Sequence, residues 1–491
     1  MNQLFYGDNL QVLQNDIGDE SVDLCYVDPP FNSKRDYNQI YNNIGKDDIA
    51  QSQAFVDTWE WGYEAEQYLL LLKTEQKYSR RVVETVLGFE NILGKGAMLS
   101  YLVNMAVRFV EIWRVLKPTG SFYLHCDSTA SAYLKIILDA VFCTQGGKFN
   151  NEVIWHYKKW ASAKNVFVRN HDTILRYSKS AAFTHNQLYV SRAESTQRRF
   201  GNQKIMSGAR DETGKRIPSV TLDEESVGVK MGDVWDIPII APSAKERLGY
   251  PTQKPLALLE RIIQASSNPG DVVLDAFCGC GTTVSAAQKL KRKWIGIDIT
   301  YFAVTLIQER LEKEYGKRVV NKIKISGIPK DMEAARALAH RKDDVLRKEF
   351  EKWAILTYTN NCAKINDKKG SDRGIDGIAY LLGKEKAVFS VKSGNVSVKD
   401  IRDFAHVIER EKAAAGVFIT LEASTKPMYA EAAALGFLSD PVGFKLPKKV
   451  QKLQIVTIQE VMDGKQIDLP VAEEVFKNAK SAKAKEQDEL Y

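Results

Sequence analysis

The stretch VDLCYVDPPFNS, residues 22–33, decides how the N-terminal part of this chain folds. The alternating, β-branched run before Asp28 is typical of a strand in the middle of an α/β sheet. Pro29 and Pro30 end such a strand, because each ring removes a backbone N–H and fixes φ. The chain is therefore expected to leave the sheet at its carboxyl edge, where open α/β sheets bind ligands.

The turn after this strand carries chemistry that a strand end does not need. Asp28, the carbonyl of Pro29 and the ring of Phe31 are expected to face one small space, with two acceptors beside a flat apolar surface. This combination suits a planar group that bears an amino function. A capped strand followed by a turn explains the same residues without a ligand, and a short motif alone does not decide between the two.

Length and composition describe an ordinary globular protein. The chain has 491 residues, enough for two or three domains, with 44% apolar and 27% charged residues. A net charge of +7 permits a nucleic-acid partner without requiring one. The six cysteines are scattered and complete no zinc site, which predicts reduced cytosolic thiols. With no signal peptide and no apolar run of membrane-spanning length, the prediction is a cytoplasmic protein.

A second informative stretch, DAFCGCGTT, covers residues 275–283. Asp275 ends a strand, and Gly279 and Gly281 allow a tight turn and close approach to a ligand before a helix begins near Thr282. Asp298 ends the next strand, where a carboxylate can accept bonds from a ribose diol. A dinucleotide loop is disfavoured because Val284 stands where its third glycine would be. The pattern therefore favours a nucleoside ligand without a diphosphate, such as S-adenosylmethionine.

Several motifs together resemble the amino-methylating DNA methyltransferases of the β group. DPPF resembles the catalytic motif of that family, and DAFCGCGTT resembles its cofactor motif. YGDNL and GYPTQKP resemble two further motifs, and RVLKPTGSFYLHCD and NEVIWHY with HDTILRYSK resemble family segments. The resemblance covers roughly residues 1–320 and has the catalytic motif first, the permuted order of the β group. Ala276 departs from the pattern, since proline is common there.

The resemblance implies a permuted Rossmann-like α/β domain that binds S-adenosylmethionine and flips one base out of double-stranded DNA. Asp28 and the carbonyl of Pro29 would hold the exocyclic amine, Phe31 would stack on the base, and Pro30 completes the catalytic motif. Transfer would be a direct in-line displacement driven by positioning, with no metal. The residues implied at the cofactor are Asp8, Lys254, Asp275, Phe277, Gly279, Gly281, Thr282 and Asp298.

The target base follows from the family rather than from the mechanism. Adenine N6 and cytosine N4 are both exocyclic amines, but in the family DPPF accompanies mostly adenine, which favours N6-adenine here. N4-cytosine is the alternative. The irregular segment 185–245 is the expected target-recognition insertion, and residues 191–220 carry seven basic and three acidic residues, a net +4. Such side chains bind phosphates or guanine edges.

Two histidines and two cysteines near these motifs have simpler interpretations. His125 and His171 are expected to be buried structural residues rather than catalytic bases, because neither has a nucleophile nearby in sequence. Cys278 and Cys280 are expected to fill space in the cofactor loop rather than to bind a ligand.

The C-terminal part raises a separate question at GSDRGIDGIAYLLGKEKAVFSVKSG, residues 370–394. Asp376 opens a strand, Lys392 lies on the next strand, and Ser390 stands two residues before the lysine. The arrangement resembles the PD-(D/E)xK nuclease core in its Mrr-like form, which implies a Mg²⁺ site at Asp376, Ser390 and Lys392.

Ser390 departs from the nuclease pattern, which usually has a Glu or Gln at that position. A carboxylate from the preceding helix, Glu349 or Glu351, is the other available ligand. The alternative is that this unit binds DNA without cleaving it. The predicted organisation is therefore a methyltransferase domain at 1–325, a linker region at 326–345, a nuclease-like domain at 346–465 and a charged tail at 466–491.

Three functions follow from this organisation. The first is a restriction–modification protein that methylates its site and cuts DNA lacking the mark. The second is a modification enzyme whose C-terminal unit only binds DNA or a partner, and the third is an RNA methyltransferase. Duplex DNA is favoured over RNA by the recognition insertion and the nuclease-like unit. A homodimer and a separate restriction subunit are the assemblies considered.

Overall fold

A sheet of nine strands organises the N-terminal part of the chain in this computed structural model. The structure describes residues 1–30, 35–42, 49–57, 59, 61–159, 165, 167–206, 211–215, 219–241, 243–248, 250, 252–340, 344–359, 363–366, 374–381, 385–439 and 449–470. Phe31, the predicted stacking residue, lies outside these ranges, as does the charged tail beyond residue 470.

The strands of the N-terminal part are β1 (Gln3–Tyr6), β2 (Val22–Val27), β3 (Arg35–Asn42), β4 (Ile49–Asp57), β5 (Leu116–Cys126), β6 (Lys148–His156), β7 (His171–Ser178), β8 (Tyr189–Val190), β9 (Gln203–Met206), β10 (Val220–Glu225), β11 (Val229–Lys230), β12 (Val234–Asp236), β13 (Val272–Asp275), β14 (Lys293–Asp298) and β15 (Lys324–Ser326). Its helices are α1 (Asn9–Asp16), α2 (Tyr63–Thr74), α3 (Arg80–Leu93), α4 (Ala97–Val115), α5 (Ser131–Phe142), α6 (Glu194–Phe200), α7 (Leu256–Ser266), α8 (Thr282–Lys289), α9 (Tyr301–Tyr315) and α10 (Lys317–Val320), with a 3₁₀ turn at Cys143–Gln145.

The strand order of the large sheet is β12-β6-β7-β5-β2-β13-β14-β1-β15. All neighbouring pairs are parallel except those of β7, which runs against β5 and β6. The carboxyl ends of β1, β2, β5, β6, β13 and β14 therefore meet at one edge, together with the start of β7. Two apolar clusters, one containing α3, α4 and α5 and the other α7, α8 and α9, pack against the sheet. The predicted doubly wound, mostly parallel fold is confirmed.

The segment between β7 and β12 consists of short strands and the short helix α6. Strand β8 pairs with β11, and β9 pairs with β10, both antiparallel and outside the large sheet. Most of its side chains are exposed, and α6 has no buried residue. This segment is the one predicted to recognise the target.

The C-terminal part contains strands β16 (Lys364–Ile365), β17 (Gly377–Tyr380), β18 (Lys386–Lys392), β19 (Ala415–Thr420) and β20 (Leu453–Thr457) in that spatial order. Its helices, and those leading to it, are α11 (Met332–Ala339), α12 (Asp344–Tyr358), α13 (Val398–Arg410), α14 (Lys426–Ala434) and α15 (Ile458–Met462). β18, β19 and β20 are parallel, and β17 runs against β18. The predicted smaller α/β unit is confirmed, whereas its boundaries stay predictions.

Helix α12 joins the two parts of the molecule. Phe350 and Trp353 on this helix are buried in an apolar cluster that also contains Phe302 and Leu306 of α9. In the same region the hydroxyl of Tyr6, at the end of β1, donates to Glu349 Oε2 at 2.9 Å. The C-terminal unit therefore packs directly against helix α9 and the end of strand β1.

Candidate active sites

Asp28 lies at the carboxyl end of β2, as the sequence predicts, and its side chain is only 15% exposed. One carboxylate oxygen, Oδ2, forms an ion pair with the ammonium of Lys254. The other, Oδ1, is buried and has no hydrogen-bond partner among the residues that the structure describes. Because a buried acceptor without a partner is costly, this oxygen marks a place where a donor is expected to bind.

The loop after β13 has the shape that its glycines predict. Gly279 and Gly281 have φ values of +47° and +72°, a region that other residues rarely adopt. A Cβ on Gly281 would lie 2.6 Å from Ile307 Cγ1, and one on Gly279 would lie 3.3 Å from the ring of Tyr250. Helix α8 begins directly afterwards at Thr282, so its N-terminus points into the loop. This cradle fits a ligand that approaches the backbone closely.

Two carboxylates support this loop from the ends of β13 and β14. Asp275 accepts from Phe277 N at 3.0 Å and from Thr283 Oγ1 at 2.5 Å. Burial, with the charges of Asp28 and Asp298 adding to it, raises the pKa of Asp275 to about 7.

Asp298 supports the same loop from its other side. It accepts from Gly279 N at 2.9 Å, and burial raises the pKa of its carboxyl group as well. Asp275 and Asp298 thus form an acidic field at the loop, in which a cationic ligand such as a sulfonium would favour the ionised forms of both carboxyl groups.

Asp8 has two structural partners. Its Oδ1 caps α1 by accepting from Gln11 N at 3.1 Å, and its Oδ2 accepts from the buried Arg108 at 2.8 Å. Arg108 also donates to Asn9, whose amide donates to the carbonyl of Ala276 in the cofactor loop. Arg108 and Asn9 were not predicted as site residues. The signal available for Arg108 was a charged residue within the apolar stretch MAVRFVEIW.

Beside Asp28, β5 and β7 form a wall of linked polar groups. His125 Nδ1 is 3.0 Å from the hydroxyl of Tyr26, and its Nε2 is 3.2 Å from Asp172 Oδ2. Tyr157 donates to the other oxygen of Asp172 at 3.2 Å. Although burial opposes it, the bonds from His125 and Tyr157 and the charge of Lys254 hold the pKa of Asp172 below its ordinary value.

The two histidines differ in their surroundings. His125 is fully buried, as predicted, and its partners give it a structural role. The prediction of burial is wrong for His171, whose side chain is exposed because it is the first residue of β7, at the rim of the sheet. Cys278 and Cys280 are buried in the loop, and burial raises the pKa of each thiol, so neither is a reactive thiolate.

In the C-terminal unit Asp376 directly precedes β17, and Ser390 and Lys392 lie on the neighbouring strand β18. Asp376 Oδ2 accepts from Val391 N at 2.8 Å and from Ser390 Oγ at 3.4 Å. The structure thus joins Asp376 to Ser390, with which it was predicted to form a metal site, and Lys392 lies within electrostatic range of Glu351.

Helix α12 adds a second carboxylate to this site. Lys348 Nζ lies 2.7 Å from Glu351 Oε2 and 3.4 Å from Asp376 Oδ1, so one ammonium bridges the two acids. Burial, and then the charge of Asp376, raises the pKa of Glu351, while Lys348 and Lys392 oppose the shift. Of the two glutamates considered from the sequence, Glu351 is the one at Asp376, since Glu349 bonds Tyr6 and Lys352.

Membrane-spanning helices and clusters of metal-binding side chains are both absent from the residues that the structure describes. No helix among them combines the length and apolar character needed to cross a membrane. Within the same ranges, no group of three or more His, Cys, Asp or Glu side chains is arranged to hold a metal ion.

Comparison with known proteins gives two family matches. A family model described as DNA methylase matches residues 22–309. A second model, described as restriction endonuclease, matches residues 343–438.

Three curated relatives resemble the N-terminal part. The chain is 34% identical over 206 residues to type II methyltransferase M.HpaI of Haemophilus parainfluenzae, covering 42% of this chain and 57% of that protein. It is 26% identical to M.BglII of Bacillus subtilis over 64% of this chain and 70% of that one. It is 27% identical to the DNA adenine methyltransferase YhdJ of Escherichia coli, over 65% and 87%. The alignment thus spans little more than half of M.HpaI.

Proposed function

Because this chain belongs to the DNA methylase family, we propose that it transfers a methyl group to the exocyclic N6 of adenine in double-stranded DNA. The observation that carries the proposal is the position of Asp28. Its buried Oδ1 has no described partner and lies at the sheet edge beside the glycine cradle. A base amine is a donor of the kind that this oxygen requires.

The roles of the residues follow from that arrangement. Asp28 accepts a hydrogen bond from the amine and directs the nitrogen lone pair toward the cofactor. When bound, S-adenosylmethionine supplies an electrophilic methyl group, which the nitrogen takes as a neutral thioether leaves. The amine then loses one proton to solvent. Asp28 and its turn hold the reacting nitrogen in place, so that positioning provides much of the rate.

The cofactor site draws on the residues predicted from the sequence. Gly279 and Gly281 admit the ligand close to the backbone, and the acidic field of Asp275 and Asp298 complements its positive charge. Oδ2 of Asp298 accepts one hydrogen bond, from Gly279 N, and keeps a lone pair for a ribose hydroxyl, whereas Oδ1 already accepts two from Thr300. Asp8 supports this site through the cap of α1, and its contact with the adenine of the cofactor stays a prediction.

Adenine is preferred over cytosine because of the DPPF motif and because the relative YhdJ is named as an adenine methyltransferase. The segment 185–245, with its exposed basic residues, is proposed to read the DNA sequence. We place the activity in the cytoplasm, where thiols such as those of Cys25 and Cys126 persist reduced. The homodimer and the partner subunit stay predictions.

The test uses unmethylated genomic DNA, the full chain and isotope-labelled S-adenosylmethionine. After digestion to nucleosides, mass spectrometry is expected to find the label on N6-methyladenine, and Asp28→Ala protein is expected to leave the DNA unlabelled. Label on N4-methylcytosine would keep the mechanism and change the base. No label on DNA, with label on matched RNA, would overturn the proposal.

A second activity is proposed for the C-terminal unit, which matches the restriction endonuclease model. The observation that supports this activity is that the ammonium of Lys348 bridges two acids, Asp376 and Glu351. Such a pair fits Mg²⁺, which is commonly bound by one or two carboxylates with water and phosphate. When bound, Mg²⁺ would polarise the scissile phosphate and activate water. Lys392 would hold the phosphate or the attacking water, and Ser390 would orient Asp376.

This activity is tested with unmethylated plasmid DNA and Mg²⁺. Cleavage that is lost in Lys392→Ala, while methyl transfer is retained, is the expected result. If the parent protein binds the plasmid but leaves it intact over a range of Mg²⁺ concentrations, the C-terminal unit is a binding module instead.

A further inference from the structure

Lys254 lies in a loop that contacts both Asp28 and the glycine loop of the methyl-transfer site. Its ammonium is paired with Asp28 Oδ2, and both side chains are largely buried, at 11% and 15% exposure. A largely buried ion pair has a strongly preferred geometry, because either charge left alone would be poorly solvated. The pair therefore fixes which oxygen of Asp28 is left for a ligand.

The segment that carries Lys254 is itself held in place. Gln253 accepts from Leu248 N at 2.8 Å and donates to the carbonyl of Glu246 at 2.6 Å. Glu246 Oε2 in turn accepts from Leu256 N, at the start of α7, at 3.1 Å. The ammonium is thus presented by a folded loop rather than by a free side chain.

The same loop also touches the cofactor cradle. The buried ring of Tyr250 stacks on Phe302, with ring centres 6.4 Å apart, and packs against Gly279. One loop therefore links the cradle to the carboxylate at the end of β2.

Other acidic side chains surround this ion pair. Asp172 lies within electrostatic range of Lys254, and Asp275 lies within range of Asp28. The titratable groups within electrostatic range of the pair are Tyr26, Cys126, Asp172, Tyr250, Asp275 and Cys280.

We propose that Lys254 is a positioning residue for methyl transfer, which holds Oδ2 of Asp28 so that Oδ1 faces the target amine. The inference rests on the proposed function of Asp28. It differs from the expectation drawn from the sequence, in which Lys254 serves the cofactor. The two roles predict different kinetics, because a residue that acts on Asp28 affects the chemical step, whereas a cofactor contact affects cofactor affinity.

The experiment compares Lys254→Gln with Lys254→Arg and with Asp28→Asn in the full chain. S-adenosylmethionine affinity is measured by calorimetry without DNA, which also reports whether each variant is folded. Transfer is measured at saturating cofactor and DNA.

The expected result is a fall of about 100-fold in kcat for Lys254→Gln with cofactor affinity changed by less than about threefold. Lys254→Arg, which keeps a positive charge beside Asp28, recovers much of the rate. A weaker cofactor affinity with unchanged kcat at saturation would overturn the inference and restore the cofactor role. If Asp28→Asn also transfers normally, the proposed function fails instead. If Lys254→Gln does not fold, the decision passes to Lys254→Arg: a lower kcat with unchanged cofactor affinity supports the inference, and weakened affinity with the parent's kcat overturns it.

Discussion

Asp28 and Asp376 each lie next to a strand, and each pairs with a lysine from another part of the chain. The two sites nevertheless leave different atoms available to a ligand. Lys254 takes one oxygen of Asp28 and leaves the other without a described partner. Lys348 instead lies between Asp376 and Glu351, while a backbone N–H holds the second oxygen of Asp376. The first arrangement offers an acceptor for a neutral donor, and the second offers a place for a cation.

The largest effect is expected where the available acceptor is removed. Asp28→Asn keeps the shape of the side chain but loses the charge that pairs with Lys254 and presents an amide to the amine. Transfer should fall on the order of 1,000-fold or more. S-adenosylmethionine affinity, measured by calorimetry, should change little. Near-normal transfer by this variant would show that the acceptor at β2 is not part of the chemistry.

A matched pair of glutamates on one helix tests the second arrangement. Glu351→Gln should abolish Mg²⁺-dependent cleavage, because it removes one of the two acids at the proposed cation site. Glu349→Gln, two residues away, should keep cleavage, because Glu349 faces Tyr6. Nicking assays across a Mg²⁺ titration measure both. Equal losses in the two variants would indicate damage to the helix rather than to a cation site.

A smaller effect, on the free energy of unfolding, is expected from a substitution in the glycine loop of the methyl-transfer site. Gly281→Ala introduces a Cβ 2.6 Å from Ile307 Cγ1 at a φ of +72°, which should lower the free energy of unfolding by about 2–3 kcal/mol. Gly88→Ala, inside α3 with open space around it, should instead be neutral or stabilising. Urea unfolding compares the two, and equal behaviour would contradict the strained loop.

The last prediction concerns how the free energy of unfolding depends on pH. A carboxyl group whose pKa rises on folding binds its proton more tightly in the folded state. The contribution of Asp275 to stability is therefore present at low pH and is lost as pH rises from 3.8 to about 7. Asp275→Asn should flatten the dependence of unfolding free energy on pH over that interval. An unchanged slope in urea titrations at several pH values would refute the shift.

The parts of the fold that could be predicted are those that local sequence determines. The strand before Asp28 and the turn at Gly279 and Gly281 follow from β-branching, prolines and glycines within a few residues of each other. The two α/β units and the position of Lys392 on its strand were predictable for the same reason.

The pairings across the chain were not predictable from such patterns. Lys254 and Asp28 are 226 residues apart, and Tyr6 and Glu349 are 343 apart. Which distant side chains meet depends on strand order and helix packing rather than on neighbouring residues. The burial of His171 was predicted wrongly for a related reason, since a strand-like pattern does not say where the rim of the sheet lies.

Helix α12 has a consequence for anyone who would recombine these two units. On this helix Glu349 accepts a hydrogen bond from the Tyr6 hydroxyl, and Phe350 and Trp353 are buried in the cluster that contains α9 residues. Glu351 belongs to the nuclease-like site. A chimaera joined at residue 343 would bring a foreign helix to a surface shaped for this one. A transplanted C-terminal unit would therefore need the Tyr6 and α9 surface redesigned with it.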